Sequence, residues 1–422
     1  MNGLTARTTQ ARSGDADGAP VVDGVPGVAR ASRRERAWTA WRGLPGWGQV
    51  LAVYVASRVL VTFAIARHAD RGGRRPDGSS YGYLDIAGNW DGTWYHRIVR
   101  EGYPQVLPRG ADGVVQESTW AFYPLYPGIV RAVMTGTGLS WPLAATLVSV
   151  LCGALAVVVM RSVVERVAGP RLAFWTVALF CVFPTAAVLQ LPYSESLAVL
   201  LLVAVLACLQ RRWYLAAVPL VLLVGVARPI GVPLAAVIAL HALARVRRWR
   251  RGDEALGRGG LARLGVLGAA AAVAAVEWTL VVAAVTGEPG AYTQTMAAWR
   301  TPRVVVPFTP WWTAAQNYLG TVTGPLILAA VVVGLVVWLT RPAAAVIAGD
   351  LRAWCACYLA YLFAVLDSFT SLPRYLLPLF PLGTLLAAAS PSRAYRVALV
   401  VAFAAGGLVW LAVIWRSSTM AP

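Results

Sequence analysis

WPLAATLVSVLCGALAVVVMRSVVERVAGPR, residues Trp141 to Arg171, decides the fold class. No charge occurs from Trp141 to Met160, and Arg161, Arg166 and Arg171 follow at once. An uncharged run of about 20 apolar residues is what a helix needs to cross a hydrocarbon layer roughly 30 Å thick. Arginine collected just beyond such a run anchors that end on the cytoplasmic side. Read with the same ruler, further apolar runs fall near 47–66, 172–190, 196–210, 213–227, 230–244, 264–286, 319–339, 353–369, 375–389 and 397–415. This predicts an all-α polytopic membrane protein with about eleven transmembrane helices. The runs at 196–210, 213–227, 230–244 and 375–389 are short, and those around Pro219, Pro229 and Pro233 read equally well as broken or re-entrant helices.

Composition agrees. The chain has 422 residues, 58% of them hydrophobic and only 13% charged, against roughly 25% charged in an ordinary soluble domain. That mixture excludes a disordered chain and argues against a soluble enzyme. The 37 basic residues, all arginine, outnumber 19 acidic ones, giving a net charge of +18. Such a surplus raises the question of nucleic acid, but these arginines gather at the ends of apolar runs, so no nucleic-acid partner is expected. With the N-terminus in the cytoplasm, the inside loops hold Arg161, Arg166 and Arg171, then Arg211 and Arg212, then seven arginines between Arg245 and Arg263, then Arg341 and Arg352, then Arg393 and Arg396. Outside segments beyond the first loop hold only Arg228, Arg300, Arg303, Arg374 and Arg416. The alternation follows the positive-inside rule. It leaves residues 47–422 as a transmembrane domain with two long outer loops, 67–140 and 287–318.

Residues 1–46 form a basic cytoplasmic tail, read as disordered to about Val28 and lacking the apolar core of a secretory signal. Arg30, Arg33, Arg34, Arg36 and Arg42 with Trp38 and Trp41 suit either an interfacial helix or a solvated tail. The five cysteines (Cys152, Cys181, Cys208, Cys355, Cys357) all sit in apolar runs. They read as small packing residues and not as a disulfide framework.

Function on a rigid scaffold belongs to loops, which directs attention to YLDIAGNWDGTWYHRIVREGYP, Tyr83 to Pro104. Trp90, Trp94 and Ile98 recur at helical spacing, Asn89 is a good N-cap, and Gly102 before Pro104 is a good stop. The segment predicts a short amphipathic helix at the outer membrane surface. Asp91, near its start, meets the positive end of the helix dipole. Capping is the bland role for such an acid, and a site carboxylate is the sharp one. Further along come STWAFYPLYPGIV (Ser118 to Val130) and LPYSESLAVLLL (Leu191 to Leu202), the latter with Glu195 at a predicted lipid boundary. Asp367 and Arg374 flank the outer turn of DSFTSLPRYLLPLFPL, where they are able to pair, and Glu277 lies within an apolar run. Ionisable groups at membrane depth are functional candidates by default. His68, His96 and His241 are too scattered for a histidine metal site, though His96 could hydrogen-bond near Asp91. No nucleotide-binding fingerprint is present, so no cofactor is expected.

NWDGTWYHRIVREGY, AFYPLYP, PYSESLAVLL and PRYLLPLFPL together resemble the PIG-V-like family of glycosylphosphatidylinositol mannosyltransferases and its bacterial relatives. That family shows WD-x-x-x-[YF]-x-x-I-x-x-x-GY, then F-[FY]-P-x-[YF]-P, then an [ST]-ES segment at a helix start. All three occur here in order. Val99 stands where a small residue is common, and the arginine-rich tail is a departure. The resemblance implies a GT-C type glycosyltransferase of the cell membrane. Its donor would be a polyprenyl phosphate mannose, its acceptor a lipid or glycan hydroxyl, and its general base the acid of the first outer loop, here Asp91. In that scheme Arg374, Arg97 and Arg228 receive the departing lipid phosphate, with Arg300 and Arg303 in support. Glu195 orients an arginine or a sugar hydroxyl, while Trp90, Tyr95 and Tyr123 stack on sugar. Arginines suffice to neutralise phosphate, so no metal is required; an ion held by Asp91 and Asp85 is the alternative. Two rival readings stand beside the enzyme. One is a secondary transporter using Glu277 and Asp367 as coupling acids, the other a non-catalytic scaffold presenting a lipid-linked sugar.

Overall fold

A computed structural model describes residues 39–71, 81–300, 306–366 and 371–416. The expectations for most of the N-terminal tail, for Arg303 and for Asp367 lie outside those residues. The chain divides into two units, Met1–Leu44 and Pro45–Pro422, and everything below concerns the second. Among the described residues it is helical, with no strand beyond a single bridge between Arg109 and Val115.

Its helices are α1 (Gly46–Arg71), α2 (Tyr83–Ala87), α3 (Asp91–Glu101), α4 (Leu125–Thr137), α5 (Trp141–Cys181), α6 (Glu195–Arg211), α7 (Tyr214–Gly225), α8 (Gly231–Arg250) and α9 (Arg258–Thr286). There follow α10 (Ala291–Ala298), α11 (Thr309–Leu319), α12 (Thr323–Thr340), α13 (Asp350–Val365), α14 (Leu372–Tyr375), α15 (Phe380–Ala388) and α16 (Arg393–Arg416). Five of them, α1, α5, α9, α12 and α16, are long and apolar enough to cross a membrane. Their outward faces carry Val55, Val59 and Phe63 on α1, Val266 and Leu280 on α9, Val333 and Val337 on α12, and Val401 and Val409 on α16, all exposed. Helices of this length and apolarity, with large apolar side chains on their outward faces, belong in lipid, so the protein is a membrane protein.

Helix α5 takes in the second expected crossing and the first part of the third. The backbone leaves helical geometry at Gly169 (φ 80°, ψ 167°), and Pro170 starts the next run, so α5 is two helices joined at a break. The second of these stops at Cys181, where hydropathy alone carries the apolar run on to 190. Pro184 and Pro192 interrupt the chain there, and Ala186–Leu189 turns as a 3-10 helix. Two further helices are short: α7, which runs on through Pro219 to Gly225, and α15, which begins at Phe380–Pro381.

The core lies along α5 and α6. α1 and α15 pack on α5, α7 and α8 pack on α9, and α13 packs on α8. Two glycines set the α7–α8 turn. A Cβ at Gly225 or Gly231 would stand 2.5 or 2.4 Å from the Ala274 carbonyl oxygen of α9, so only glycine permits this approach. The turn they hold carries Arg228.

In α3, Trp90 is the residue before the helix and Asp91 its first residue, so the helix begins one position later than the Asn89 cap predicts. The buried face is Tyr95, Ile98 and Val99, in place of the expected Trp90, Trp94 and Ile98 stripe. The helix ends at Gly102 as expected, with φ 76° and ψ −149°, a region open almost only to glycine. Nothing lies within 4 Å of a Cβ built there. Gly102→Ala should therefore lower stability by about 1–3 kcal/mol through the backbone alone, measured by denaturant unfolding in detergent. An unchanged midpoint would mean that the chain reaches Tyr103 by another route.

The two long loops meet. Arg109 of the first pairs with Glu288 at 2.5 Å, Tyr123 and Tyr292 join hydroxyls at 3.1 Å, and Trp94 meets the edge of Trp299 at 5.1 Å between centroids. The AFYPLYP segment is held against α9 by Trp278, whose indole N–H donates to the Trp120 carbonyl at 3.3 Å. All five cysteines are unbridged.

Candidate active site

Segments far apart in the chain converge at one end of the bundle. Asp91 opens α3 and Glu195 opens α6, so each carboxylate stands at a helix start, where the macrodipole favours negative charge. Arg374, in α14, lies between them. Its Nη1 is 2.5 Å from Asp91 Oδ2 and 3.6 Å from Glu195 Oε1. Arg228 reaches Glu195 Oε1 at 2.8 Å from the α7–α8 turn. The result is a continuous chain of charge: Asp91, Arg374, Glu195, Arg228.

Aromatic rings wall this chain in. The Arg374 guanidinium lies over Tyr193 and Tyr375 at 5.7 and 5.4 Å, and Arg228 lies over Tyr375 at 5.2 Å. Tyr95 donates to Ser194 Oγ at 2.8 Å, and Arg228 Nη1 donates to the same oxygen at 3.4 Å. Burial, then the charges of Asp91 and Glu195, push the Tyr95 phenol up, so it stays a hydrogen-bond donor. Burial by itself would loosen the proton on Arg374, but Asp91, Tyr375 and Glu195 outweigh it and hold the guanidinium charged. For Arg228, Glu195 likewise reverses the effect of burial.

Both arginines and Glu195 are buried, whereas the Asp91 side chain keeps 20% of its surface exposed. Asp91 gives one oxygen to Arg374, and its other oxygen accepts no hydrogen bond among the described residues. Neither buried oxygen of Glu195, nor Arg374 Nε, completes a hydrogen bond to those residues. The cluster thus has unused donor and acceptor capacity for a polar ligand. Just before Asp91, Trp90 is held at φ 54°, ψ −116°, a sparsely populated region for a non-glycine residue that costs about 1–3 kcal/mol. Strain of this kind gathers at sites that the surrounding structure over-determines.

Two recesses adjoin the cluster. One, of about 570 Å³, is lined by Arg228, Arg300, Tyr292, Tyr361 and Tyr375. The other, of about 640 Å³, is an apolar groove between α11, α12 and α16 that reaches Pro373, the neighbour of Arg374. Polar groups beside an apolar recess are the usual anatomy of a ligand site.

Of the residues singled out in the sequence, Asp91, Tyr95, Glu195, Arg228 and Arg374 come together. Trp90 stands half-buried beside Asp91. Tyr123 is buried against Trp278 and Tyr292 in the neighbouring aromatic cluster, and the Tyr95 ring is enclosed edge-on by Phe122 and Tyr126. Arg97 is exposed, pairs with Glu101 at 2.9 Å and stays out of the cluster. Arg300 lines the polar recess and donates to the Val365 carbonyl at 3.0 Å. Arg374 pairs with Asp91, while Asp367, the partner that the sequence allows, lies outside the described residues. His96 stacks flat on Trp141. Asp85 accepts from the Gly82 N–H at 2.7 Å as a helix cap, and among the described residues no group of three His, Cys, Asp or Glu is arranged to hold a metal. Sequence reasoning missed Tyr193, Ser194 and Tyr375 as site residues, although each lies within two residues of a charged residue already chosen.

No protein-family model matches the chain, and no curated protein does. Among solved structures, the crystal structure of ArnT from Cupriavidus metallidurans bound to undecaprenyl phosphate is similar over 82% of this chain, at 16% identity and a TM-score of 0.47. The chain covers 62% of that protein's length.

Proposed function

We propose that the protein is a GT-C type membrane glycosyltransferase. It moves a mannosyl residue from polyprenyl phosphate mannose to a hydroxyl of a lipid or glycan acceptor, on the outer face of the cell membrane. The observation that carries this reading is the chain Asp91–Arg374–Glu195–Arg228, set between an apolar groove and a polar recess. The motif resemblance supplies the sugar and the lipid carrier.

The Asp91 oxygen not engaged by Arg374 takes the proton of the acceptor hydroxyl. The acceptor oxygen attacks the anomeric carbon as the bond from that carbon to the phosphate oxygen breaks. Positive charge develops on the sugar in an oxocarbenium-like transition state, and the electron pair leaves with polyprenyl phosphate. Arg374 and Arg228, held charged by their carboxylates, neutralise that phosphate. Glu195 fixes both arginines so that they need not reorganise as charge moves. The groove beside Pro373 takes the polyprenyl tail. A single displacement inverts the centre, so a β-linked donor gives an α-linked product.

The transporter reading has less support. Glu277 is pressed toward Gly225 of α7 and its Oε1 has no hydrogen bond to the described residues, but it does not join the ion-pair chain. The test uses membranes containing the protein and labelled polyprenyl phosphate mannose. Label should pass into a new product, and Glu277→Gln should leave the rate within about two-fold, as for a residue outside the reaction site. Loss of function on Glu277→Gln, with no label transferred by the wild type, would instead favour a transporter.

A further inference from the structure

The end of the bundle opposite the ion-pair chain holds a second charged recess. α6 has Glu195 at its start and Arg211 at its end, and 17 helical residues at 1.5 Å each put about 25 Å between the two ends. α8 and α13 run between the same two regions, Arg228 preceding α8 and Val365 of α13 lining the polar recess of the first site. At the far ends of these three helices is a cavity of about 690 Å³. Arg212, Arg245, Arg248 and Arg352 line it, along with the apolar side chains of Leu240 and Leu339.

Two carboxylates partly neutralise it. Glu254 pairs with Arg212, Arg245 and Arg248, while Asp350 pairs with His241 at 2.9 Å. Four guanidiniums against Glu254 and Asp350 leave two positive charges in excess. Arg245 is 4% exposed, and its Nε makes no hydrogen bond to the described residues. The half-buried Arg352 side chain has no ion pair or hydrogen bond among them. Solvated arginines at a helix end would explain charge in this region. They do not explain a recess that keeps a buried guanidinium short of partners. Beside it lies an apolar rim: Leu240, which lines the cavity, is exposed, as are Leu243 one turn on along α8 and Val336 and Val337 within a turn of Leu339 and Thr340 on α12.

We propose that this cavity binds the phosphate head group of an anionic membrane lipid, with the acyl chains lying along the apolar rim. Two excess positive charges match a phosphomonoester, and paired arginines suit its oxygens. The site is independent of the transfer reaction and ties α6, α8 and α13 together at the end away from Asp91.

The full chain, purified in an uncharged detergent, is titrated with phosphatidic acid, phosphatidylcholine and inorganic phosphate, and bound lipid is counted by native mass spectrometry. Phosphatidic acid should bind at one site far more tightly than phosphatidylcholine. Arg352→Gln should weaken that site on the order of ten-fold, the size expected for one charge-assisted contact. Arg247→Gln, an exposed arginine of α8 outside the cavity, should leave it within two-fold. Should Arg352→Gln not fold, Arg248→Gln, half-exposed, takes its place with the same expectation. Equal losses in the cavity and Arg247 variants would overturn the proposal in favour of diffuse charge attraction. Inorganic phosphate binding as tightly as the lipid would overturn it in favour of a soluble anion.

Discussion

Arg374→Gln should abolish measurable transfer and lower stability by about 3–5 kcal/mol, the penalty for removing one partner of a buried ion pair. The guanidinium is the shared cation of two carboxylates, at 2.5 Å from Asp91 and 3.6 Å from Glu195. Without it, among the described residues, Asp91 loses its one hydrogen-bond donor and Glu195 keeps Arg228 alone. Phosphate departure loses a fixed cation as well, an effect of about 10²–10³-fold when one preorganised donor is removed. Arg374→Lys keeps the charge but gives up the guanidinium contacts with the Tyr193 and Tyr375 rings, and should fall between the Gln variant and the wild type. Chemical denaturation and labelled-donor turnover, measured on the same detergent preparations, check both arms. A Gln variant as stable and active as wild type would take Arg374 out of the account.

Asp91→Asn separates chemistry from capping. Asparagine keeps the shape, the place at the helix start and an oxygen for Arg374, but it takes one charge from the pair while the buried guanidinium still faces Glu195, so stability should fall by about 1–3 kcal/mol, less than for Arg374→Gln. Turnover should fall about 10²–10⁴-fold, the usual contribution of a general base. The loss should appear in kcat with KM little changed, because the proton moves only in the transition state. Asp91→Glu restores a carboxylate one methylene further out and should recover part of the rate. If the Asn variant retains turnover within two-fold while losing stability, Asp91 is a cap and no more.

The helical membrane class could be read directly from the sequence, since uncharged runs ending in arginine have one physical meaning. Where the runs break was less visible. Hydropathy does not distinguish a helix from an apolar 3-10 turn, so the stretch after Cys181 looked like continuous span. At the site, Asp91, Glu195 and Arg374 were identifiable one at a time as ionisable groups in apolar company. Their pairing was not, because a contact across 283 residues leaves no local periodicity. Arg374 therefore had Asp367 as its nearest partner in sequence. Arg97 was chosen as an arginine on the right helix, but six residues past Asp91 it is rotated by about 240° around the axis, which turns it to the exposed face. The same limit applies to Tyr95 and Trp94. Both fit an aromatic, membrane-level helix, and only the packing of Phe122 and Tyr126 decides that Tyr95 is the buried one.

Reconstituted protein supplied with β-linked polyprenyl phosphate mannose gives the most direct measurement, with the anomeric configuration of the mannosylated product read by NMR. The wild type should form an α-linked product and release one polyprenyl phosphate per sugar transferred, and Asp91→Asn, folded and lipid-embedded, should form almost none. A β-linked product, or label that remains on the donor lipid in the wild type, would contradict a single displacement driven by the Asp91 carboxylate.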